Sequence, residues 1–257
     1  MRSEFDSVIQ YELPLGEELI PLNPLLGREI RLTFEGNIYC VACGVKTKKS
    51  YNQGFCYPCF ISHPACAPCV IRPELCEAHK GIARDMDWAR EHCLKDHYVY
   101  LSLTSNVKVG VTRKVQIPYR WIDQGAVQAI KLARTPNRYL AGVLEVRLKK
   151  FFADRTDWRK MLRNDYPTEL KLPEEKKKAI EALTESQREY VLKERKVTRL
   201  QYPVEAYPEK VKSVGFDKVP KIQGKLVGIK GQYLIFENNE VLNIRKHAGY
   251  EISFQSE

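Results

Sequence analysis

The chain has 257 residues, 44% hydrophobic and 29% charged, with a net charge of +10 and a pI near 9.1. That length supports one large domain or two to three small ones, and the apolar content supports packed cores. No apolar run approaches the roughly 20 residues that span a bilayer, and the opening MRSEFDSVIQ has no signal-peptide core, so the expectation is a cytoplasmic protein with no membrane partner and eight cysteines kept as thiols.

Residues 1–39 read as short strands. Residues 8–13 and 29–34 alternate apolar and polar, and Pro14, Gly16, Pro21, Pro24 and Gly27 punctuate them. In the second run Ile30, Leu32 and Phe34 share one face. The segment is too small to fold alone and needs strands from elsewhere in the chain.

Two C-x2-C knuckles follow, Cys40/Cys43 and Cys56/Cys59, with twelve residues between them. This spacing bends four thiolates towards one tetrahedral ion, the pattern of a zinc ribbon. A third knuckle, Cys66/Cys69, precedes Cys76 and Cys93, and the arithmetic of eight cysteines predicts a second Zn²⁺ on these four, with His79 as the rival to Cys93. Such small segments have almost no core, so the ions are read as structural. Lys46, Lys48, Lys49 and Tyr51 lie between the first knuckles and offer a second contact to a phosphate backbone.

A helical link is expected over 82–95, then strands over 98–103 and 107–112 joined by Thr104-Ser105-Asn106. Helices are expected over 119–127 and 137–153, the second with the stripe Leu140, Val143, Leu144, Leu148 and Phe151. Between Leu101 and Arg163 there are fourteen Lys and Arg against four acids, a surplus equal to the net charge of the whole chain. A basic island of this kind is the electrostatic footprint of a protein that binds a polyanion.

The order of residues in this island resembles the GIY-YIG nuclease superfamily: Tyr98-Val99-Tyr100, then Lys108-Val109-Gly110, Thr112, Arg120 and Glu145. The resemblance covers about a quarter of the chain. It implies an active site of Tyr100, Arg120 and Glu145, with Lys108 where the second-motif tyrosine usually stands and Gln124 where many members carry histidine or tyrosine. The whole chain is also similar to an uncharacterised bacterial family, domain of unknown function 2797, which joins a cysteine-rich front to this core.

The chemistry of those residues agrees with phosphodiester hydrolysis. A lowered phenol pKa would let Tyr100 act as base, Arg120 can grip a phosphate through two parallel hydrogen bonds, and Glu145 can hold one Mg²⁺. Each also has an ordinary structural reading: Tyr100 as a strand aromatic, Arg120 paired with Asp123, Glu145 paired with Lys149. Arg113, Lys114, Trp121, Gln124, Arg134 and Arg138 are the expected nucleic-acid contacts.

Beyond Pro167, a helix is expected from Pro173 to about 194, with Lys176-Lys177-Lys178 as its solvated face. Strands are expected over 221–229, 232–236, 240–245 and 249–254, able to pair with the N-terminal ones. The chain therefore divides into an N-terminal β segment (1–39), a zinc region (40–94), a GIY-YIG-like core (95–166), a helical connector (167–200) and a C-terminal β module (201–257). The fold class is α+β. The functional expectation is a zinc protein acting on DNA or RNA, as a Mg²⁺-dependent phosphodiesterase, with a non-catalytic nucleic-acid binder or a zinc-ribbon adaptor for other proteins as alternatives.

Overall fold

Period-two alternation makes Glu29–Tyr39 a strand, with Ile30, Leu32 and Ile38 buried on one face. In the computed structural model, which describes all 257 residues, this strand pairs antiparallel with Lys221–Lys230 on one side and Tyr250–Ser256 on the other. Leu32 stands opposite Ile222 across one ladder and Phe254 across the other. The predicted pairing of N-terminal with C-terminal strands is therefore present. The sheet continues from Lys221–Lys230 through Tyr233–Phe236 and Glu240–Asn243 to Lys212–Val214, whose contact with Glu240–Asn243 is parallel. A separate three-stranded antiparallel sheet, Arg2–Glu4, Gln10–Leu15 and Glu18–Pro21, buries Tyr11 and Leu13.

These strands belong to one compact unit, residues 1–61, 162–164 and 200–257. Within it Lys230 is fully buried and donates to Asn164 Oδ1 at 2.8 Å, its ammonium 5.5 Å from the ring centre of Tyr202 and 5.2 Å from that of Tyr207. Burial lowers its pKa to about 7.

Residues 62–161 and 165–199 form the second unit. The cut at 61/62 runs through the cysteine-rich region. Its framework is a four-stranded antiparallel sheet in the order Val107–Arg113, His97–Leu103, Gln128–Thr135, Val197–Arg199. The first two are the predicted hairpin, and Asn106 Oδ1 accepts from Val107 N in its turn. Gln128–Thr135 was not expected. Its Ala129 and Ala133 and its interspersed bases carry little β-propensity, and burial of Ile130 and Leu132 decides its state.

Arg138–Leu148 packs on this sheet, started by Asn137, whose side chain accepts from Leu140 N at 2.9 Å. Ala141, Leu144 and Leu148 meet Val99, Leu101, Val109 and Leu132 in one core. The other helices are shorter than their periodic patterns. Gly125, at φ +68°, ends Tyr119–Asp123, and Asp85 caps Met86–His92 four residues late. Leu172–Ala182 stops where Leu183 turns extended, and Thr184 opens the separate Glu185–Arg188 turn with a capping box to Gln187.

Lys176 corrects the reading of a solvated lysine run. It is buried, and its ammonium donates to the carbonyls of Lys131, Leu192 and Glu194 at 2.8, 2.7 and 2.6 Å, fastening the returning chain to the sheet. Lys176→Met would leave three acceptors without donors. Charge-assisted bonds contribute about 1.5–3 kcal/mol each when not shared, so a loss of at least about 3 kcal/mol is expected in urea unfolding. A loss below about 1 kcal/mol would show that water replaces the ammonium.

Candidate functional site

The first cysteine group lies in the first unit. The Glu29–Tyr39 strand delivers the chain to Cys40, where Cys40 N donates to Val45 O, Gly44 N donates to Cys40 O, and Gly44 takes φ +71° to close the knuckle. The sulfurs of Cys40, Cys43, Cys56 and Cys59 all lie within 4.8 Å of one another, and Cys43 and Cys56 are 3.8 Å apart. A tetrahedral ion with Zn–S bonds of about 2.3 Å has S–S edges of about 3.8 Å. Burial raises the Cys40 thiol, but the backbone amides of Cys56, Cys43 and Ala42 outweigh it and bring it to about 6. The group can hold a metal ion.

The second group is in the second unit and has three members, Cys69, Cys76 and Cys93, with sulfurs again within 4.8 Å of one another. Short 3-10 turns carry the first two, and Cys93 closes the Met86–His92 helix. Ala78, Ala89, Met86 and Trp88 pack around them. Hydrogen bonds from Cys69 and Cys93 hold the Cys76 thiol down to about 2 and correspondingly raise Cys93. Of the five residues expected at the second ion, Cys66 and His79 stand outside the group. Cys66 ends its own 3-10 turn, and the His79 ring stacks on Tyr139 at 4.4 Å.

Arg138 ties this cysteine loop to the core. Its backbone N donates to Cys93 O, and its guanidinium donates to the carbonyls of Cys69 and His92, both at 3.2 Å. Gly142, one turn on, lets the helix approach the loop so closely that a Cβ there would overlap the backbone of Pro73 and Glu74.

Arg138 also lines a cavity of about 360 Å³ together with Arg113, Arg120, Gln116, His92 and His97. None of the three arginines forms an ion pair, and no carboxylate lines the cavity. Burial and then the charge of Arg138 lower the Arg113 pKa. His97 Nδ1 faces Lys95 O at 2.7 Å, while its buried Nε2 has no partner. Burial first, then Arg138 and Arg113, bring His97 to about 4, against the raising effect of the Lys95 carbonyl. The cavity is therefore a place where positive charge is gathered with no carboxylate among the residues that line it.

The residues assigned through the GIY-YIG resemblance lie close enough to act on one another electrostatically, but their chemistry differs from expectation. Tyr100 is completely buried, its hydroxyl donating to Gln124 Oε1 at 3.0 Å. Burial raises its pKa, and this outweighs the lowering effect of Arg120, so the activated phenolate expected from sequence is not favoured. Lys108 is buried as well and is brought down to about 8, by burial and then by Arg120. Glu145 is pushed up by burial, and its Oε2 lies 3.3 Å from Lys149 Nζ, the ordinary i+4 bridge. Trp121 is 1% exposed and packs against Tyr100, so it builds the core and does not offer a face to a base. Arg134 pairs with Asp96 away from the cavity. Lys114 lines a neighbouring one with Arg113 and Lys95. His97 and Gln116 are the cavity residues that sequence reasoning missed. His97 opens the first core strand and faces Arg113 in its register, a signal that the hairpin alone would have given.

A family model described as a protein of unknown function, DUF2797, matches residues 27–252. The chain belongs to that family. Its matched region spans both cysteine groups and the arginine-lined cavity. No curated protein and no solved structure matches the chain. No helix is long and apolar enough to cross a membrane.

Two outcomes follow from this geometry. His97 titrates near 6.5 when unfolded and about 4 when folded, so its contribution to stability is complete above pH 6.5 and is lost as the pH falls towards 4. The difference corresponds to about 3 kcal/mol, and His97→Asn should flatten the stability profile between pH 7 and 4 relative to wild type. Parallel profiles would contradict a neutral buried imidazole. Gly142→Ala, which in an open helix gains about 1 kcal/mol, should here lower the melting temperature, because overpacking against backbone costs about 1–3 kcal/mol or more.

Proposed function

We propose that this protein binds nucleic acid through its phosphate backbone at the cavity lined by Arg113, Arg120 and Arg138. The observation that carries the reading is the set of three guanidinium groups around one cavity without a carboxylate among its lining residues. Gathered charge without a counter-ion is costly unless an anion completes it. Guanidinium is the group best matched to phosphate, through paired parallel hydrogen bonds. The partnerless Nε2 of His97 and Nε of Arg138 add polar atoms there that a ligand can satisfy. The surplus of basic residues over 101–163 would supply the long-range attraction.

In this reading the two cysteine groups hold Zn²⁺. The first is a closed four-thiolate set whose ion would fold the ribbon, since that segment buries few apolar side chains of its own.

Hydrolysis is the second reading. Arg120 favours it, because it lines the cavity and also acts on Tyr100 and Lys108. Glu145 is then the residue that would hold Mg²⁺, and an ion there supplies charge neutralisation at the phosphate. The fit is poor as the side chains stand, because Lys149 lies against Glu145 and Glu145 belongs to no cluster of three ligand groups, although its Oε2 makes no hydrogen bond and Asp154 shares the same lysine. Binding without cleavage is therefore the reading the geometry favours.

The test is a salt series on zinc-loaded protein with labelled single- and double-stranded DNA and RNA, with and without Mg²⁺. Wild type should bind with a steep dependence on salt. Arg113→Ala and Arg120→Ala should each weaken binding about tenfold and reduce the log–log slope by about 1. Unchanged affinity in both variants would remove the cavity from the interface. A Mg²⁺-dependent product that disappears in Glu145→Gln, with binding retained, would establish the second reading. No binding to any of the four probes would leave the zinc ribbon as an adaptor for other proteins.

A further inference from the structure

The second cysteine group differs from the first in a way that changes what its ion can do. The first gathers four sulfurs; the second gathers three, Cys69, Cys76 and Cys93. Zinc in structural sites takes four protein ligands, whereas three protein ligands leave one position for a ligand from solution. Of the two residues that sequence spacing offers as the fourth, Cys66 lies outside the group at the end of its own 3-10 turn, and His79 stacks on Tyr139 in the wall of the same cavity.

The three cysteines also line one cavity, of about 510 Å³. That volume lies within the roughly 300–1,000 Å³ of ordinary small-molecule sites. Its walls are largely apolar, with Leu75, Ile82, Trp88 and Tyr139 among them. A closed structural site has no need of such a space beside its thiolates.

Charge narrows the class of ligand. Three thiolates and a divalent ion sum to one negative charge, and Arg138, whose guanidinium donates to Cys69 O, offsets it. A centre balanced in this way tolerates one more anionic donor. Soft thiolate surroundings select a thiophilic ion, and such an ion prefers a soft donor in its last position.

We propose that Cys69, Cys76 and Cys93 form a three-thiolate metal centre whose fourth position opens into this cavity and takes the sulfur of a small apolar thiol. With Cys69, Cys76 and Cys93 holding the ion, binding would be a ligand exchange: the thiol S–H bond would break, its proton would go to solvent, and the sulfur would take the position given up by a water. No electron is transferred. The apolar body of the thiol lies against Trp88 and Tyr139. This proposal does not depend on the nucleic-acid reading.

The test is cobalt substitution of the full-length protein under anaerobic conditions, followed by titration with benzyl mercaptan. Two Co²⁺ ions should bind per chain, and the visible spectrum should change saturably at one of them, gaining sulfur-to-cobalt charge-transfer absorption equivalent to one further thiolate. Desalted protein should still contain two ions. Cys66→Ser and His79→Ala should start from the wild-type spectrum and respond in the same way. The proposal is overturned if the wild-type spectrum does not respond to the thiol, if the thiol strips an ion, or if only one ion binds. It is equally overturned if either variant alters the starting spectrum, since that residue would then be the fourth ligand of a closed site. Should a variant fail to fold, the wild-type titration alone decides.

Discussion

The guanidinium of Arg138 is the constraint on which the second unit depends. It is 8% exposed, carries a full charge and meets no carboxylate. Its compensation is two backbone carbonyls, one on each side of the cysteine loop, and the face of Trp88 at 6.0 Å. A buried cation is tolerated only when its surroundings are fixed around it, so loop and helix must hold their relation. The same charge is felt in three places: it offsets the thiolates, it lowers His97, and it contributes to the cavity shared with Arg113 and Arg120. One side chain thus couples the metal group to the cationic cavity.

Burial, more than neighbouring charge, governs the titratable groups of the core. Arg120 lies near both Tyr100 and Lys108 and acts on each in the direction sequence reasoning expects. For Tyr100 desolvation works the other way and is larger. For Lys108 the two agree, and the ammonium loses much of its preference for the proton. The outcome is a group of side chains tuned as a neutral phenol, a weakened ammonium and a carboxylate beside a lysine. Such a set leaves the arginines as the groups of this region that keep their charge unpaired by a carboxylate.

The parts of this architecture that follow local rules were legible in the sequence. Thr104-Ser105-Asn106 announced the hairpin, Asn137 announced its helix, and C-x2-C spacing announced the first metal group and most of the second. What escaped was decided by tertiary contact. Gln128–Thr135 reads as a mixture of alanines and bases until it is placed between two strands. Lys176 reads as one of three surface lysines until the returning chain presents three carbonyls to it. Trp121 stood among the expected nucleic-acid contacts, and only the structure reveals that this aromatic is enclosed. The absence of Cys66 from the second cysteine group escaped because counting cysteines assigns all eight, whereas geometry gathers seven.

The clasping of Glu29–Tyr39 has a consequence for biosynthesis. Arg31 and Gln223, side by side in the sheet, are 192 residues apart in the chain. Its two long partners, Lys221–Lys230 and Tyr250–Ser256, lie far along the chain, so during translation the edges they cover stay unpaired until those strands emerge, and only the short Lys46–Thr47 strand can pair with it early. An unpaired apolar strand is a template for other chains. The four-cysteine group at Cys40–Cys59 adjoins this strand and is made long before those partners, so the sulfurs that could gather an ion are in place while the strand still waits for its sheet.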